Sequence, residues 1–288
     1  MTALPVPRPR RRALASLLAA SGGVLLAAGC GRTGPVPTSP EVPRDPLASL
    51  DPQQWNARSA QGLRALGVHG AADDLETWAD LGAAEAFLDP ARDAVVGFVG
   101  AAYLSPTELG ALGHEAAHDR VAEAAPEFWH EGLREAWDGE DRPFYAAALA
   151  PPFRVVGRPA IAADWHRTEH DGGPALALGA TIAWTAIDTG SRAAGQFAYR
   201  VGIVAELDEG GAATAASIRV TLHGLDACGI AEHEGLLVPA LTDEESHRAV
   251  QEATWDEVLA SPRIPLEQLL DEDSSAFSED GTTFLPCD

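Results

Sequence analysis

The sequence predicts an α+β fold in which N-terminal helices pack on a four-stranded antiparallel meander sheet, with a C-terminal helical extension. Three observations support this prediction. Apolar residues recur at helical spacing over about residues 73–137, alternating apolar runs follow over about 153–225, and short acidic, glycine-rich segments separate those runs. Because 46% of the 288 residues are hydrophobic, the chain can bury a sizeable core, and we expect one domain over residues 53–288.

The first 29 residues have the features of a secretory leader, because four arginines precede an apolar segment over residues 13–28. The next feature, Leu26-Ala27-Ala28-Gly29-Cys30, resembles the lipobox of bacterial lipoproteins. That resemblance implies cleavage before Cys30, acylation of its thiol and a lipid anchor in the cell membrane. A plain signal peptide and a retained single-span anchor are the alternatives, and the pair Arg11-Arg12 leaves both Sec and twin-arginine export open.

Residues 30–52 contain six prolines and few large apolar side chains, so we expect an extended tether. From Cys30 onward the chain carries 16 arginines, no lysine and 43 acidic residues. This acidic surface is typical of a soluble exported protein and repels nucleic acid and anionic lipid headgroups, so we expect no nucleic-acid partner. Binding of several divalent cations is the alternative use of the acids, and the absence of lysine excludes lysine-nucleophile chemistry.

Four helices are predicted before the sheet, over residues 73–88, 94–104, 105–124 and 127–137. The first begins at the capping pair Asp73-Asp74 and stops before Pro90. The third begins at Ser105, which opens a capping box with proline at the first helical position. Part of the second, residues 95–100, is also compatible with a strand.

The third helix contains a match to the HExxH pattern of zinc peptidases, formed by His114, Glu115 and His118. In that pattern the two imidazoles bind zinc and the glutamate polarises the metal-bound water. Here charged residues follow the motif, no third ligand is evident, and the apolar side of the helix leaves both histidines on its polar flank. We therefore expect no cofactor, and we keep zinc at His114 and His118, with Glu115 as the catalytic residue, as an alternative.

The sheet is predicted from four apolar runs, at residues 153–165, 176–187, 196–207 and 217–225. The segments between them have the composition of β-hairpin connections. Large apolar residues occupy alternate positions in the third run: Phe197, Tyr199, Val201, Ile203 and Leu207. This period of two predicts a half-buried strand and hence a sheet with one dry face.

After the sheet we predict an irregular segment or a short strand near residues 236–238, and helices over 244–259 and 264–270. Acylation of Cys30 would leave Cys228 and Cys287, and two thiols outside the cytoplasm usually pair. We therefore predict a disulfide that ties the last part of the chain, residues 228–288, to the sheet. Without it the acidic, serine-rich stretch 271–280 would be loose, and a reactive or metal-binding Cys228 is the alternative.

Helices followed by a long-stranded antiparallel sheet resemble, in element order, the cone-shaped α+β fold of nuclear transport factor and ketosteroid isomerase relatives, over residues 75–225. The resemblance implies a concave pocket between helices and sheet, near which Tyr145, Asp164, His166 and Tyr199 should lie. Since Asp164 and His166 are two positions apart on a strand, they should share one face, which makes them a candidate catalytic pair.

The arginine-rich leader, the residues up to Cys30 and the lysine-free composition together resemble exported lipoproteins of high-GC actinobacteria. We therefore predict a lipid-anchored envelope protein on the extracytoplasmic face, acting as a non-catalytic binding or assembly module for a small molecule or another envelope protein. A zinc-dependent hydrolase and an isomerase-like or cyclase-like pocket enzyme are the alternatives. The first would depend on His114 and His118, and the second on Asp164 or His166.

Overall fold

The computed structural model describes residues 88–139, 141–155, 159–191, 193–241, 245–254, 256, 258, 261–278, 282–285 and 287. The predicted leader, the lipidation site Cys30, the tether and almost all of the helix predicted over residues 73–88 lie outside these residues. Within them the fold is α+β, and helices occur along the chain both before and after the long strands. The predicted α+β class is therefore confirmed.

Within the described residues, five helices precede the sheet: α1 (Asp89–Tyr103), α2 (Pro106–Gly110), α3 (His114–Ala124), α4 (His130–Asp138) and α5 (Arg142–Tyr145). A short 3₁₀ helix at Glu127–Trp129 leads directly into α4. Later in the chain, before a last short strand, come α6 (Ala227–Glu232), α7 (Glu245–Thr254), α8 (Leu266–Leu270) and a 3₁₀ helix at Ser275–Phe277.

Two predicted helix boundaries are wrong. The helix predicted over residues 94–104 begins earlier, at Asp89, and Pro90 lies in its first turn, where its fixed φ is suitable and its missing N–H costs nothing. The helix predicted over residues 105–124 is divided into α2 and α3, and Ser105 makes no side-chain capping hydrogen bond. Gly110 and Gly113 flank the break, and glycine is unfavourable inside a helix.

The sheet has six strands within the described residues: β1 (Phe153–Val155), β2 (Ala160–His170), β3 (Gly173–Asp188), β4 (Ala194–Leu207), β5 (Ala213–Asp226) and β6 (Thr283–Leu285). Their order is β1-β3-β4-β5-β6, and β2 also pairs with β3. The pairs are antiparallel, except that β6 runs parallel to β5. Four strands were predicted, so the sheet exceeds the prediction by two.

The two additional strands have different origins. The apolar run at residues 153–165 forms both β1 and β2, which pair with opposite ends of β3. The last strand, β6, contains only three residues and pairs with the end of β5. So short a strand has no alternation from which to predict it.

The first face of the sheet packs against helices α1 to α5. Phe98 and Tyr103 of α1 are fully buried there, together with Trp137 of α4 and Tyr199 of β4. Polar ring atoms are satisfied by backbone carbonyls, since Trp184 Nε1 donates to Tyr103 O (3.1 Å) and Tyr199 Oη donates to the carbonyl of residue 143 (2.9 Å). This face is the principal core of the protein.

The second face of the sheet is also covered, which corrects the prediction of one dry face. Ala177 and Val204 on this face are buried against Ile264, Leu269 and other residues of the C-terminal segment 261–278. The C-terminal segment can approach the sheet closely because two glycines, Gly179 of β3 and Gly202 of β4, are direct partners at this place. A Cβ atom on Gly202 would lie 2.5 Å from Phe277 Cζ.

Polar side chains on the second face hold the same segment by its backbone. Thr181 Oγ1 and Thr221 Oγ1 donate to the carbonyls of residues 262 and 276. Arg219 donates to the carbonyls of residues 268, 269 and 271, and its guanidinium lies over the ring of Phe277. The segment is therefore attached along its length.

The predicted disulfide joins Cys228, in α6, to Cys287, with the two Cα atoms 5.3 Å apart. It lies next to β6 in the chain, so the disulfide and the β5–β6 pairing together attach the C-terminal end to the sheet.

Candidate functional site

The HExxH motif lies at the start of α3, where its three residues have different environments. His114 is 46% exposed, and Glu115 forms an ion pair with Arg134 (3.1 Å). His118 is buried, and its Nδ1 lies 2.8 Å from Nη2 of the same arginine. The prediction that both histidines lie on the polar flank is therefore wrong for His118, which packs edge-on against the ring of Trp137.

The described residues do not bring a third metal ligand to His114 and His118. Only one group of three potential ligand residues within the described ranges has its atoms within 4.8 Å of one another, and it does not include the motif. The nearest acid to His114 is Asp138, with 3.9 Å between Nε2 and Oδ1. Glu115 is held by an arginine rather than directed at a metal-bound water. Zinc binding at this motif stays a prediction without geometric support.

The predicted pocket residues lie on opposite faces of the sheet. Tyr199 and Tyr145 belong to the helix side, where Tyr199 is fully buried. Asp164 and His166 do share one face of β2, as predicted, but their partners on β3 are Gly179 and Ala177, which belong to the second face. The structure therefore does not assemble these four residues into one pocket.

A cleft of about 320 Å³ opens on the second face, between the sheet and the C-terminal segment. It is lined by Arg200 from β4 and by residues of the segment: Ser261, Arg263, Pro265, Gln268, Ser275 and Ala276. None of these lining residues is acidic, although the chain has 43 acids. We define this cavity as the second-face cleft.

Arg200 is the lining residue with the least satisfied charge. Its side chain lies on the second face because its neighbours at alternate positions of β4, Gly202 and Val204, contact the C-terminal segment. Within the described residues it donates one hydrogen bond, from Nη2 to the carbonyl of Ser261 (2.6 Å), and its Nε is buried without a partner. Burial lowers the pKa of this guanidinium from its ordinary value, because water that would solvate the charge is excluded.

Arg263 lies at the same cleft and is 66% exposed. It forms an ion pair with Asp164 of β2. One member of the predicted catalytic pair therefore lies beside the cleft, in contact with this arginine. His166, the other member, has a buried Nε2 without a hydrogen-bond partner in the described ranges. The cleft also presents three neutral polar side chains, from Ser261, Gln268 and Ser275.

A separate group of possible metal ligands lies at one end of the sheet. His170, Asp171 and Glu206 have ligand atoms within 4.8 Å of one another. They come from the end of β2, the turn that follows and the end of β4, and they are partly or fully exposed. Residues 36 positions apart carry no common motif, so sequence spacing could not have identified this group. Exposed groups of this kind are common without a metal.

The cleft was also missed from the sequence, although one signal was present. Gly179 and Gly202 interrupt two otherwise apolar strands, and glycine inside a strand indicates close approach of another segment.

Comparisons of the chain with protein-family models, with curated proteins and with solved structures find no match. In the part of the chain that the structure describes, no helix combines the length and the apolar character needed to cross a membrane.

Proposed function

We propose that this chain is a lipid-anchored envelope protein on the extracytoplasmic face of the cell membrane, and that its α+β domain is a non-catalytic binding module for a small polar molecule. One observation carries the binding proposal: the second-face cleft has polar side chains whose hydrogen-bonding capacity is unused. Sites of this kind, concave and with a few convergent polar groups, are where small ligands usually bind.

Three side chains in the cleft support this proposal beyond the two arginines. Ser261, Gln268 and Ser275 make no side-chain hydrogen bond to the described residues, although each carries donors and acceptors. A ligand with hydroxyl, carbonyl or charged groups would satisfy them. The cleft volume corresponds to about ten water molecules, which limits the ligand to a small molecule.

The lipid anchor rests on the leader and on Leu26-Ala27-Ala28-Gly29-Cys30. The test is membrane fractionation of the full chain and of a Cys30→Ala variant, with a radiolabelled fatty acid in the growth medium. The proposal predicts a labelled protein in the membrane fraction, and an unlabelled protein for the variant. A label that survives the substitution would contradict the assignment of Cys30.

The binding proposal is tested by thermal unfolding of the chain against a panel of small polar compounds. Ser275→Trp fills the cleft from an exposed position, and Ser217→Trp makes the same change at an exposed position that does not line it. The proposal predicts compounds that raise the melting temperature of the parent and of Ser217→Trp but not of Ser275→Trp. If every stabilising compound acts equally on all three proteins, the cleft is not the binding site.

The cone-like arrangement of the nuclear transport factor relatives belongs to the same proposal. It is supported by the chain order of helices followed by β2 to β5 in antiparallel succession. The proposed ligand site, however, lies on the face of the sheet opposite to the main helices, rather than between helices and sheet. An experimental structure in which β3 to β5 do not curve around α1 would refute the cone-like arrangement.

A further inference from the structure

We propose that the ligand of the second-face cleft carries an anionic group, a carboxylate or a phosphate, that binds between Arg200 and Arg263. This inference rests on the proposed binding function and names the chemical class of its ligand. It follows from the charges at the cleft, from the contrast between its arginines and a neighbouring arginine, and from the neutral groups around them.

The first step is the uncompensated charge of Arg200. No carboxylate among the described residues forms an ion pair with this guanidinium, and its one hydrogen bond goes to a backbone carbonyl. Its buried Nε has no hydrogen-bond partner among those residues. A buried donor without a partner costs free energy, and the cost is higher when the donor is charged. An anion in the cleft would compensate the charge of this guanidinium.

The second step is a comparison with Arg219, which lies on the next strand of the same face. Arg219 donates to three backbone carbonyls and lies over an aromatic ring. Burial lowers the pKa of its guanidinium, and the nearby carboxylates of Asp271 and Glu272 oppose that shift. Its hydrogen-bonding capacity is used to hold the C-terminal segment. Arg200 makes one such bond, so most of its N–H donors are unused within the described residues.

The third step is the role of Arg263, which is paired with Asp164 and donates a long hydrogen bond to the carbonyl of residue 163, but is largely exposed. An exposed pair of this kind is weak, so the guanidinium can turn from Asp164 to a ligand at little cost. Two arginines from different elements would then approach one anion. Guanidinium groups bind carboxylates and phosphates through paired N–H donors, which makes arginine the usual residue at such sites.

The fourth step is the selectivity of the surrounding groups. None of the described lining residues is acidic, and the carboxylate beside the cleft, that of Asp164, is already paired with Arg263. Hydroxyl and amide groups of Ser261, Gln268 and Ser275 can donate further hydrogen bonds to anionic oxygens. The described lining of the cleft is therefore positively charged, although the chain as a whole has a strongly negative net charge.

The inference is tested by NMR of the arginine Nε–H signals in the isotopically labelled chain, at constant ionic strength. Inorganic phosphate and acetate are the anionic probes, which separates phosphate from carboxylate ligands, and glucose is the neutral probe. Binding of so small a probe is expected in the millimolar range. The variants are Arg200→Lys, Arg263→Gln and, as a control, Arg120→Gln, an exposed arginine paired with Glu108 on α2.

The inference predicts that phosphate or acetate shifts the signals of Arg200 and Arg263 with one common dissociation constant. Arg263→Gln, a change at a largely exposed side chain, should weaken binding about tenfold, and Arg120→Gln should leave it unchanged. Arg200→Lys retains the charge but loses the paired donors, so it should also weaken binding.

Shifts with glucose but with neither anion would overturn the anionic class and leave the binding function standing. Equal shifts of all arginine signals would show screening rather than a site, and would also overturn the inference. If no probe shifts either signal and no compound in the thermal panel distinguishes Ser275→Trp from its control, the binding function itself fails.

Discussion

Replacement of Gly202 by alanine is predicted to separate the C-terminal segment from the second face. The new Cβ would lie 2.5 Å from Phe277 Cζ and 3.2 Å from Leu269 Cδ2. Both contacts are shorter than van der Waals distance, so the two side chains must move away from the sheet. They belong to the segment that forms one wall of the cleft.

The expected change in the free energy of unfolding follows from two opposing effects. Overpacking of a well-packed core typically costs about 1–3 kcal/mol. Removing a glycine from the unfolded chain stabilises by about 0.4–1 kcal/mol where the backbone permits alanine. The phenylalanine ring is the end of a movable side chain, which places the clash in the lower part of its range. The expected net loss in the free energy of unfolding is about 0.5–1.5 kcal/mol.

The assay is urea unfolding with the disulfide intact, combined with hydrogen exchange. A matched control is Gly132→Ala in α4, where a new Cβ meets no atom within 4 Å. That change should stabilise the protein by up to about 1 kcal/mol, because alanine favours helix. Exchange should increase in Gly202→Ala within residues 261–278 and not in α1. A Gly202→Ala protein as stable as the parent, with unchanged exchange in the segment, would refute the packing described for the second face.

Three further predictions concern the disulfide, a buried histidine and the HExxH motif. Reduction of Cys228–Cys287, which are 59 positions apart, should lower the free energy of unfolding by about 4 kcal/mol in the chain-entropy model, and urea unfolding with and without reductant measures it; an unchanged midpoint would contradict this. Burial and the charge of Arg200 lower the pKa of His223 to about 3, so only the unfolded state binds this proton as the pH falls below 6.5. Stability should therefore drop by up to about 1.4 kcal/mol per pH unit between 6.5 and about 3, and His223→Gln should have a shallower acid dependence than the parent; equal slopes would contradict it. His118→Ala should lower the free energy of unfolding by about 1–3 kcal/mol, and the exposed His114→Ala by less than about 0.5 kcal/mol. Neither change should alter the zinc content of the purified protein, whereas one zinc per chain that is lost in both variants would support the hydrolase alternative.

Large apolar residues at regular spacing made the principal core predictable. Phe197, Tyr199 and Ile203 alternate along β4, and all three are buried on the helix side. The disulfide followed from cysteine number and compartment rather than from geometry. The core strand and the disulfide could be predicted because each depends on the residues of one segment or on composition alone, and a single sequence gives both.

The second face could not be predicted because its residues are small. Alanine, glycine and threonine between the large residues of β3 and β4 are equally compatible with a solvent-exposed face and with a face covered at close range. Which of these holds depends on segment 261–278, which lies some 60 positions later in the chain. The position of His118 had a similar cause, since the partner that buries it, Trp137, belongs to another helix.

The cleft residues were missed for the same reason. Arg200 interrupts an apolar strand, which suggests a solvent-exposed position in a strand with one wet face. Only the covering segment turns this position into a half-buried one and brings Arg263 beside it. A site built from a strand and a distant segment leaves no local motif.

The central claim is that a membrane-anchored chain holds a small molecule in the second-face cleft, and native mass spectrometry of the full chain extracted from membranes tests it most directly. The account predicts a polypeptide that begins at Cys30 with added lipid mass and carries a non-covalent small-molecule adduct. Ser275→Trp should keep the lipid and lose the adduct, while Ser217→Trp should keep both. A chain without lipid mass, or an adduct that persists when the cleft is filled, would contradict the account.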